Sequence, residues 1–308
     1  MLKNFSVIMS GGCNSKCYFC PDAMNYKESN SYLSNLYQII LQNKLPADFR
    51  QVSVTGGEPT LSKNLIEILM LLKHSQRFDK IVLTTNGSNL QNENILKAIG
   101  ESVNHLNISR HAIGKKKNID IFKTDRIISD KGIKEVTDYL DKKGVDVTFN
   151  HVYTNENNLT RDYVYNFISY AKSLNVKSVS FRYDQKENSL APTYLEKQFA
   201  DYKVLNKSQC PVCRSYLVLI KGMNVTFKAS FLEPSLNYPN LNLKDPYELI
   251  YHLNGKLTID WAGKEEWTGN FTTFNTSVML PSFNTTPKRV VKNSVNNGCG
   301  YSVFNGCG

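Results

Sequence analysis

The stretch Phe5-Ser6-Val7-Ile8-Met9-Ser10-Gly11-Gly12-Cys13-Asn14-Ser15-Lys16-Cys17-Tyr18-Phe19-Cys20 opens as a short apolar, β-branched run and ends in three cysteines spaced C-x3-C-x2-C. The run predicts a strand over residues 5–10, which places the cysteines on the loop that follows it. Three thiolates on one loop suit an iron–sulfur cluster, whose usual ligands are cysteines. A four-iron cluster held by Cys13, Cys17 and Cys20 keeps one iron open to a further ligand. A structural zinc site is the competing reading. It needs a fourth Cys or His close by, and the next histidine is His74.

Working outward, short apolar or β-branched runs alternate with stretches of helical period up to residue 184. This is the pattern of repeated β-α units around a parallel sheet. Strands are predicted over 5–10, 51–55, 80–85, 104–109, 146–153 and 177–183. Helices are predicted near 31–44, 62–75, 91–100, 131–143 and 160–174, where Leu65, Ile68, Leu69 and Leu72 show the three- and four-residue spacing best. Gly144 after Lys142-Lys143 is a helix stop. Six such units form an α/β fold, a partial (β/α)6 TIM-like barrel, in which reactive groups gather on loops at the C-terminal strand ends. The cysteine trio follows the first strand, Gly56-Gly57-Glu58-Pro59 the second, Thr85-Asn86-Gly87 the third and Ser109-Arg110-His111 the fourth.

The cysteine spacing, the aromatic Phe19 just before the third cysteine, and the Gly56-Gly57-Glu58-Pro59 turn together resemble the radical S-adenosylmethionine (SAM) superfamily. The resemblance implies a 4Fe-4S cluster on Cys13, Cys17 and Cys20 whose open iron chelates SAM. It implies that Gly56, Gly57, Glu58 and Pro59 hold the amino group of SAM and that Thr85 and Asn86 contact its ribose. The backbone around Phe19, with Asn150 and Val152, would border the adenine, and Ser109 is grouped with these cofactor contacts. The implied reaction is reductive cleavage of SAM to a 5′-deoxyadenosyl radical, which takes a hydrogen atom from the substrate. An electron donor such as flavodoxin or ferredoxin is the implied protein partner.

Arg110 and His111 at a strand end can bind an anion or shuttle a proton, and Arg182 at the end of the sixth strand can face the same cavity. These three are the candidate catalytic residues. The alternatives are that Arg110 and Arg182 pair with neighbouring carboxylates and that His111 begins a loop. Asp260-Trp261 sets a carboxylate beside an aromatic face, a combination that suits a flat heterocycle with an N–H edge; a core Trp and a turn Asp is the alternative.

Residues 1–184 thus form the barrel domain and 185–308 a C-terminal extension. The extension opens with a linker containing Pro192 and continues to a hairpin, 217–220 and 225–229. Cys210, Cys213, Cys299 and Cys307 make a set of four thiolates for an auxiliary iron–sulfur cluster or a zinc ion, which would tether the extension to the barrel.

Composition bounds the function. The chain has 308 residues and 41% hydrophobic content, enough for a sizeable core. It has no run of about eighteen apolar residues for a membrane span and no signal-peptide pattern, so a cytoplasmic, non-membrane protein is expected. The 37 basic against 27 acidic residues give +10, a modest pointer to an anionic partner; Lys115-Lys116-Lys117 reads as a solvated loop. A small polar, nucleobase-like substrate processed by a lyase similar to queuine lyase is the first functional expectation. A maturase of ribosomal peptides and an RNA-modifying enzyme, with nucleic acid as its partner, are the alternatives.

Overall fold

The computed structural model describes residues 3–9, 12–20, 28–153, 160–184, 198–207, 213–230, 246–261, 263 and 266–267. Its frame is six parallel strands: β1 (Asn4–Met9), β2 (Gln51–Gly56), β3 (Lys80–Thr85), β4 (His105–Ser109), β5 (Asp146–Tyr153) and β6 (Ser178–Tyr183). The connecting helices are α1 (Tyr32–Leu41), α2 (Leu65–His74), α3 (Glu93–Ser102), α4 (Lys115–Phe122), α5 (Asp130–Lys143) and α6 (Arg161–Ser173). Beyond them lie β7 (Val204–Lys207), β8 (Cys213–Ile220), β9 (Met223–Ser230), β10 (Glu248–Tyr251) and β11 (Leu257–Thr258). All eleven belong to one sheet in the order β11-β10-β1-β2-β3-β4-β5-β6-β9-β8-β7.

The sequence expectation of six β-α units holds, with two additions at the sheet edges. β10 pairs parallel to β1, Asn4 opposite Glu248, and β9 pairs parallel to β6, Arg182 opposite Lys228. The hairpin is longer than its apolar residues indicate, spanning β8 and β9 with Lys221 and Gly222 at the turn, both at positive φ. The Lys115-Lys116-Lys117 run opens α4 rather than lying in a loop. The linker containing Pro192 lies outside the described residues.

Strand alternation divides the sheet into an oily outer face and a polar inner one. Phe5 stacks on Phe78, Phe149 packs on Phe167 and Tyr170 of α6, and Phe181 contacts both Phe167 and Phe227. These residues and Val7, Val52, Val54 and Leu83 lie in one continuous core beneath the helices. The residues between them face the other way and pair with one another. Asn4 meets Ser6, Gln51 and Ser53; Asn107 donates to Thr84; His105, Thr148 and Ser178 form a chain. Glu248 on β10 feels the charge of Lys228 on β9 although the two strands are seven steps apart in the sheet order, so the sheet curls and the polar face is the inside of a partial barrel.

Candidate functional site

The loop after β1 is drawn to the loop after β2 by direct backbone contact. The Glu58 amide donates to the Gly12 carbonyl at 2.8 Å. A Cβ on Gly57 would lie 2.2 Å from that same oxygen, and one on Gly56 would lie 2.7 Å from the Met9 carbonyl oxygen. Two glycines are therefore needed where the turn crosses the cysteine loop. Pro59 starts the short 3-10 turn that follows, with Glu58 as its cap.

The Glu58 side chain is 1% exposed and ties three segments together. One carboxylate oxygen accepts from the Thr60 amide (3.0 Å), the Thr60 hydroxyl (2.5 Å) and the Thr85 hydroxyl (2.5 Å); the other accepts from the Asn86 amide at 2.6 Å. Burial raises its pKa, and these four bonds pull it back. Asn86 completes the tie by donating to Asn14 Oδ1 (2.7 Å) and Ser15 Oγ (3.0 Å) of the cysteine loop, while its own oxygen accepts from the Ser88 amide. Glu58 and Asn86 thus tie the three loops of the rim together.

Within the cysteine loop Cys13 is half-buried, its Sγ accepting from the Ser15 amide, and Cys17 is buried; neither is in a disulfide. Burial raises both thiol pKa values, that of Cys17 to about 12, with Cys13 adding to the rise at Cys17 and Glu58 to that at Cys13. Neighbouring thiols so placed ionise once a bound metal supplies positive charge. Cys20, the third cysteine of the trio, closes the same loop, its amide donating to the Cys17 carbonyl at 3.0 Å. Phe19 turns inward onto Cys17, Phe122, Ile127 and Val152, and the Lys16 amide donates to the Phe122 carbonyl. Polar atoms left without a partner among the described residues gather on the same rim: Asn14 Nδ2, Ser88 Oγ, Ser109 Oγ and His111 Nε2. Neighbouring thiols, a glycine-lined crossing and unmet hydrogen-bonding groups fit a cluster together with a polar ligand.

The candidate catalytic residues separate. Arg110 is 1% exposed and points among the helices, donating to Asp130 (2.5 Å), Tyr170 (3.1 Å) and the Ile128 carbonyl (3.2 Å). It braces β4 against α5 and α6, as in the carboxylate-pair alternative. His111 lies under the cysteine loop, its ring 4.8 Å from Phe19 and 4.9 Å from Phe122. Its Nδ1 accepts from the Val152 amide at 3.0 Å. Burial lowers the imidazole pKa well below the ordinary range, so the ring is neutral and carries its hydrogen on Nε2, an unmet donor. Arg182 is buried on the inner face beside Lys228. Asn150 and Val152 share that face; Asn150 lies opposite Ser109.

Asp260 and Trp261 are held by different contacts. The Asp260 carbonyl accepts from Thr258, whereas Trp261 is buried and donates its Nε1–H to Glu248 at 3.2 Å. Glu248, absent from the sequence expectations, also accepts from Asn4 and Ser6, both at 2.7 Å. Of the second cysteine set, Cys210, Cys299 and Cys307 lie outside the described residues; Cys213 opens β8 and its side chain is likewise outside them. No helix among the described residues is long and apolar enough to cross a membrane.

Comparison with known proteins bears on this rim. Residues 7–169 match the family model described as the radical SAM superfamily, which covers more than half of the chain. A probable GTP 3',8-cyclase of Saccharolobus solfataricus is 32% identical over 184 residues, covering 58% of this chain and 56% of that protein. The corresponding protein of Metallosphaera sedula is 36% identical over 140 residues, 44% of this chain and 42% of its own length. The chain thus spans about half the length of the curated relatives it matches. Among solved structures, Streptococcus suis SuiB bound to S-adenosylmethionine shares the fold, with TM-score 0.57 and 15% identity over 89% of this chain and 61% of SuiB. The matched family segment, the partial barrel and the thiol-bearing rim agree: the chain belongs to the radical SAM superfamily, whose cofactors are a 4Fe-4S cluster and S-adenosylmethionine.

Proposed function

We propose that this chain cleaves SAM at the rim formed by the loops after β1, β2 and β3 and directs the 5′-deoxyadenosyl radical at a purine-bearing small molecule on the polar inner face of the barrel. The observation that carries the reading is the Glu58 carboxylate. Its four bonds, with the Asn86 amide on Asn14 and Ser15, lock three strand-end loops into one cradle around Cys13 and Cys17. Preorganised polar groups of this kind orient a ligand without reorganisation during the reaction. Cys13, Cys17 and Cys20 would hold the cluster, which when bound supplies the electron that breaks a carbon–sulfur bond of SAM. Ser109 Oγ and the Nε2–H of His111 remain to meet polar atoms of the bound molecules. Arg182 and Lys228 give the inner face positive charge suited to an anionic substituent.

The purine assignment draws on the curated relatives, named as probable GTP 3',8-cyclases, and on the polar inner face. It makes a guanosine nucleotide the first compound to try, ahead of the 7-deazapurine of a queuine-type lyase. A small-molecule reductant or a flavodoxin-like protein would supply the electron.

The test is anaerobic reconstitution with iron and sulfide, followed by measurement of 5′-deoxyadenosine formed with dithionite, in wild type and Cys17→Ala. Wild type should form deoxyadenosine, faster with GTP present, and the variant should lose both its iron and the product. Deoxyadenosine formed equally well by Cys17→Ala would overturn the cofactor assignment. Formation in wild type that GTP does not change would overturn the purine assignment alone.

A further inference from the structure

Glu248 and Gln51 stand on β10 and β2, either side of Asn4 on β1, in register across three adjacent strands of the inner face. Their hydrogen bonds have a single consistent direction. Asn4 turns its amide nitrogen toward Glu248 and donates to Oε1 at 2.7 Å. The Asn4 oxygen then points the other way, where it accepts from Ser53 (2.9 Å) and from Gln51 Nε2 (3.2 Å). Gln51 is consequently left with its oxygen outward in the row. That atom is buried, in a residue of 0% exposure, and has no partner among the described residues. Glu248 ends in the same condition: Oε1 accepts from Asn4 and Ser6, whereas Oε2 accepts from Trp261 alone and retains a lone pair. The row therefore presents two buried acceptors with unused capacity, and a buried acceptor left unmet is destabilising.

Resting on the purine reading above, we infer that Glu248 and Gln51 form the floor of the substrate site and recognise a ligand edge rich in N–H donors: a purine with an amino group beside a ring N–H, as in guanine. Trp261 offers its aromatic body at the same carboxylate, and Lys228, whose charge reaches Glu248, stands across the barrel for an anionic substituent. An amino-purine supplies the donors that Gln51 Oε1 and Glu248 Oε2 lack. A purine without the amino group leaves one acceptor stranded, and sites built to meet a polar group reject analogues lacking it strongly.

The experiment compares GTP with ITP, which lacks the 2-amino group, on the reconstituted full chain with SAM present. Binding is read by calorimetry and by quenching of tryptophan fluorescence, the chain having two tryptophans. Wild type should bind GTP at least about tenfold more tightly than ITP. In Glu248→Gln and in Gln51→Leu that ratio should fall to about one to three, with melting curves showing both variants folded. Should Glu248→Gln fail to fold, Gln51→Leu decides by itself. A folded variant that keeps the wild-type ratio overturns the inference and makes the row a structural plug, while the purine reading stands. Failure of wild type to bind either nucleotide overturns both.

Discussion

Gly57→Ala tests whether the rim works by the close crossing of two loops. The added Cβ would lie 2.2 Å from the Gly12 carbonyl oxygen, 2.6 Å from its carbon and 3.1 Å from the Cys13 nitrogen. All three are backbone atoms, so no side chain can swing aside. Bringing the first distance from 2.2 Å to a tolerable 3.0 Å requires a displacement of at least 0.8 Å, and this must stretch the 2.8 Å bond from the Glu58 amide to the same oxygen. Overpacking of this kind costs about 1–3 kcal/mol. A displacement near 1 Å at a reacting site lowers a rate by about a hundredfold. We therefore expect Gly57→Ala to bind iron but to form 5′-deoxyadenosine about a hundredfold more slowly, with a modest fall in melting temperature. Gly144→Ala is the matched control: this glycine caps α5 at φ +73° with open space around its Cβ position, so it should lose about 1 kcal/mol of stability and none of the per-molecule rate. Wild-type deoxyadenosine formation by Gly57→Ala, or an equal loss of rate in Gly144→Ala, would refute the reasoning.

Two further outcomes separate structural from chemical roles. Arg110→Ala should lower stability by about 2–3 kcal/mol, below the usual cost of breaking a buried pair because the Asp130 side chain is 41% exposed. Deoxyadenosine formed per folded molecule should not change, and a stable but inactive variant would return Arg110 to the reaction. Glu248 predicts a pH dependence of stability: burial holds its pKa at about 7 against an ordinary 4.5. The native state then binds the proton more tightly than the unfolded chain. Its contribution is complete below about pH 4.5 and is lost as pH rises through 7, on the order of 3 kcal/mol. Melting temperatures between pH 5 and 8 should fall in wild type and flatten in Glu248→Gln; an unchanged slope in the variant would place the titration elsewhere.

Legibility in the sequence followed the strength of local pattern. The six barrel strands announce themselves because each is a run of β-branched or apolar residues long enough to show its period, and the first four end at loops bearing a recognisable motif. Helix α4 was missed because Lys115-Lys116-Lys117 looks solvated, whereas Asn118 caps the preceding turn from within the helix by bonding the His111 amide and the Ala112 carbonyl. β10 was missed because Glu248-Leu249-Ile250-Tyr251 has only four residues and draws its order from parallel pairing with β1, a contact across more than 240 positions. The same distance hid Glu248. Asp260 and Trp261 are adjacent in sequence and so read as a pair, but the turn they lie in brings the indole to a carboxylate on β10. Arg110 was likewise read from its place at a strand end; which way its side chain turns depends on Asp130 and Tyr170, supplied by α5 and α6.

Two buried carboxylates, one near each end of the inner face, differ in a way that assigns them different work. Both have pKa values raised by desolvation. Glu58 offsets much of that cost within the protein, through four bonds that make it a fastener between the loops. Glu248 has three bonds, and its alignment of Asn4 leaves Gln51 with a second unmet oxygen. A protein gains little by stranding acceptors in its interior, so the incomplete floor makes sense where a donor arrives with the substrate. Closure of the rim and incompleteness of the floor thus divide the barrel into a part that assembles the cofactors before substrate enters and a part that becomes complete only when the right substrate is present.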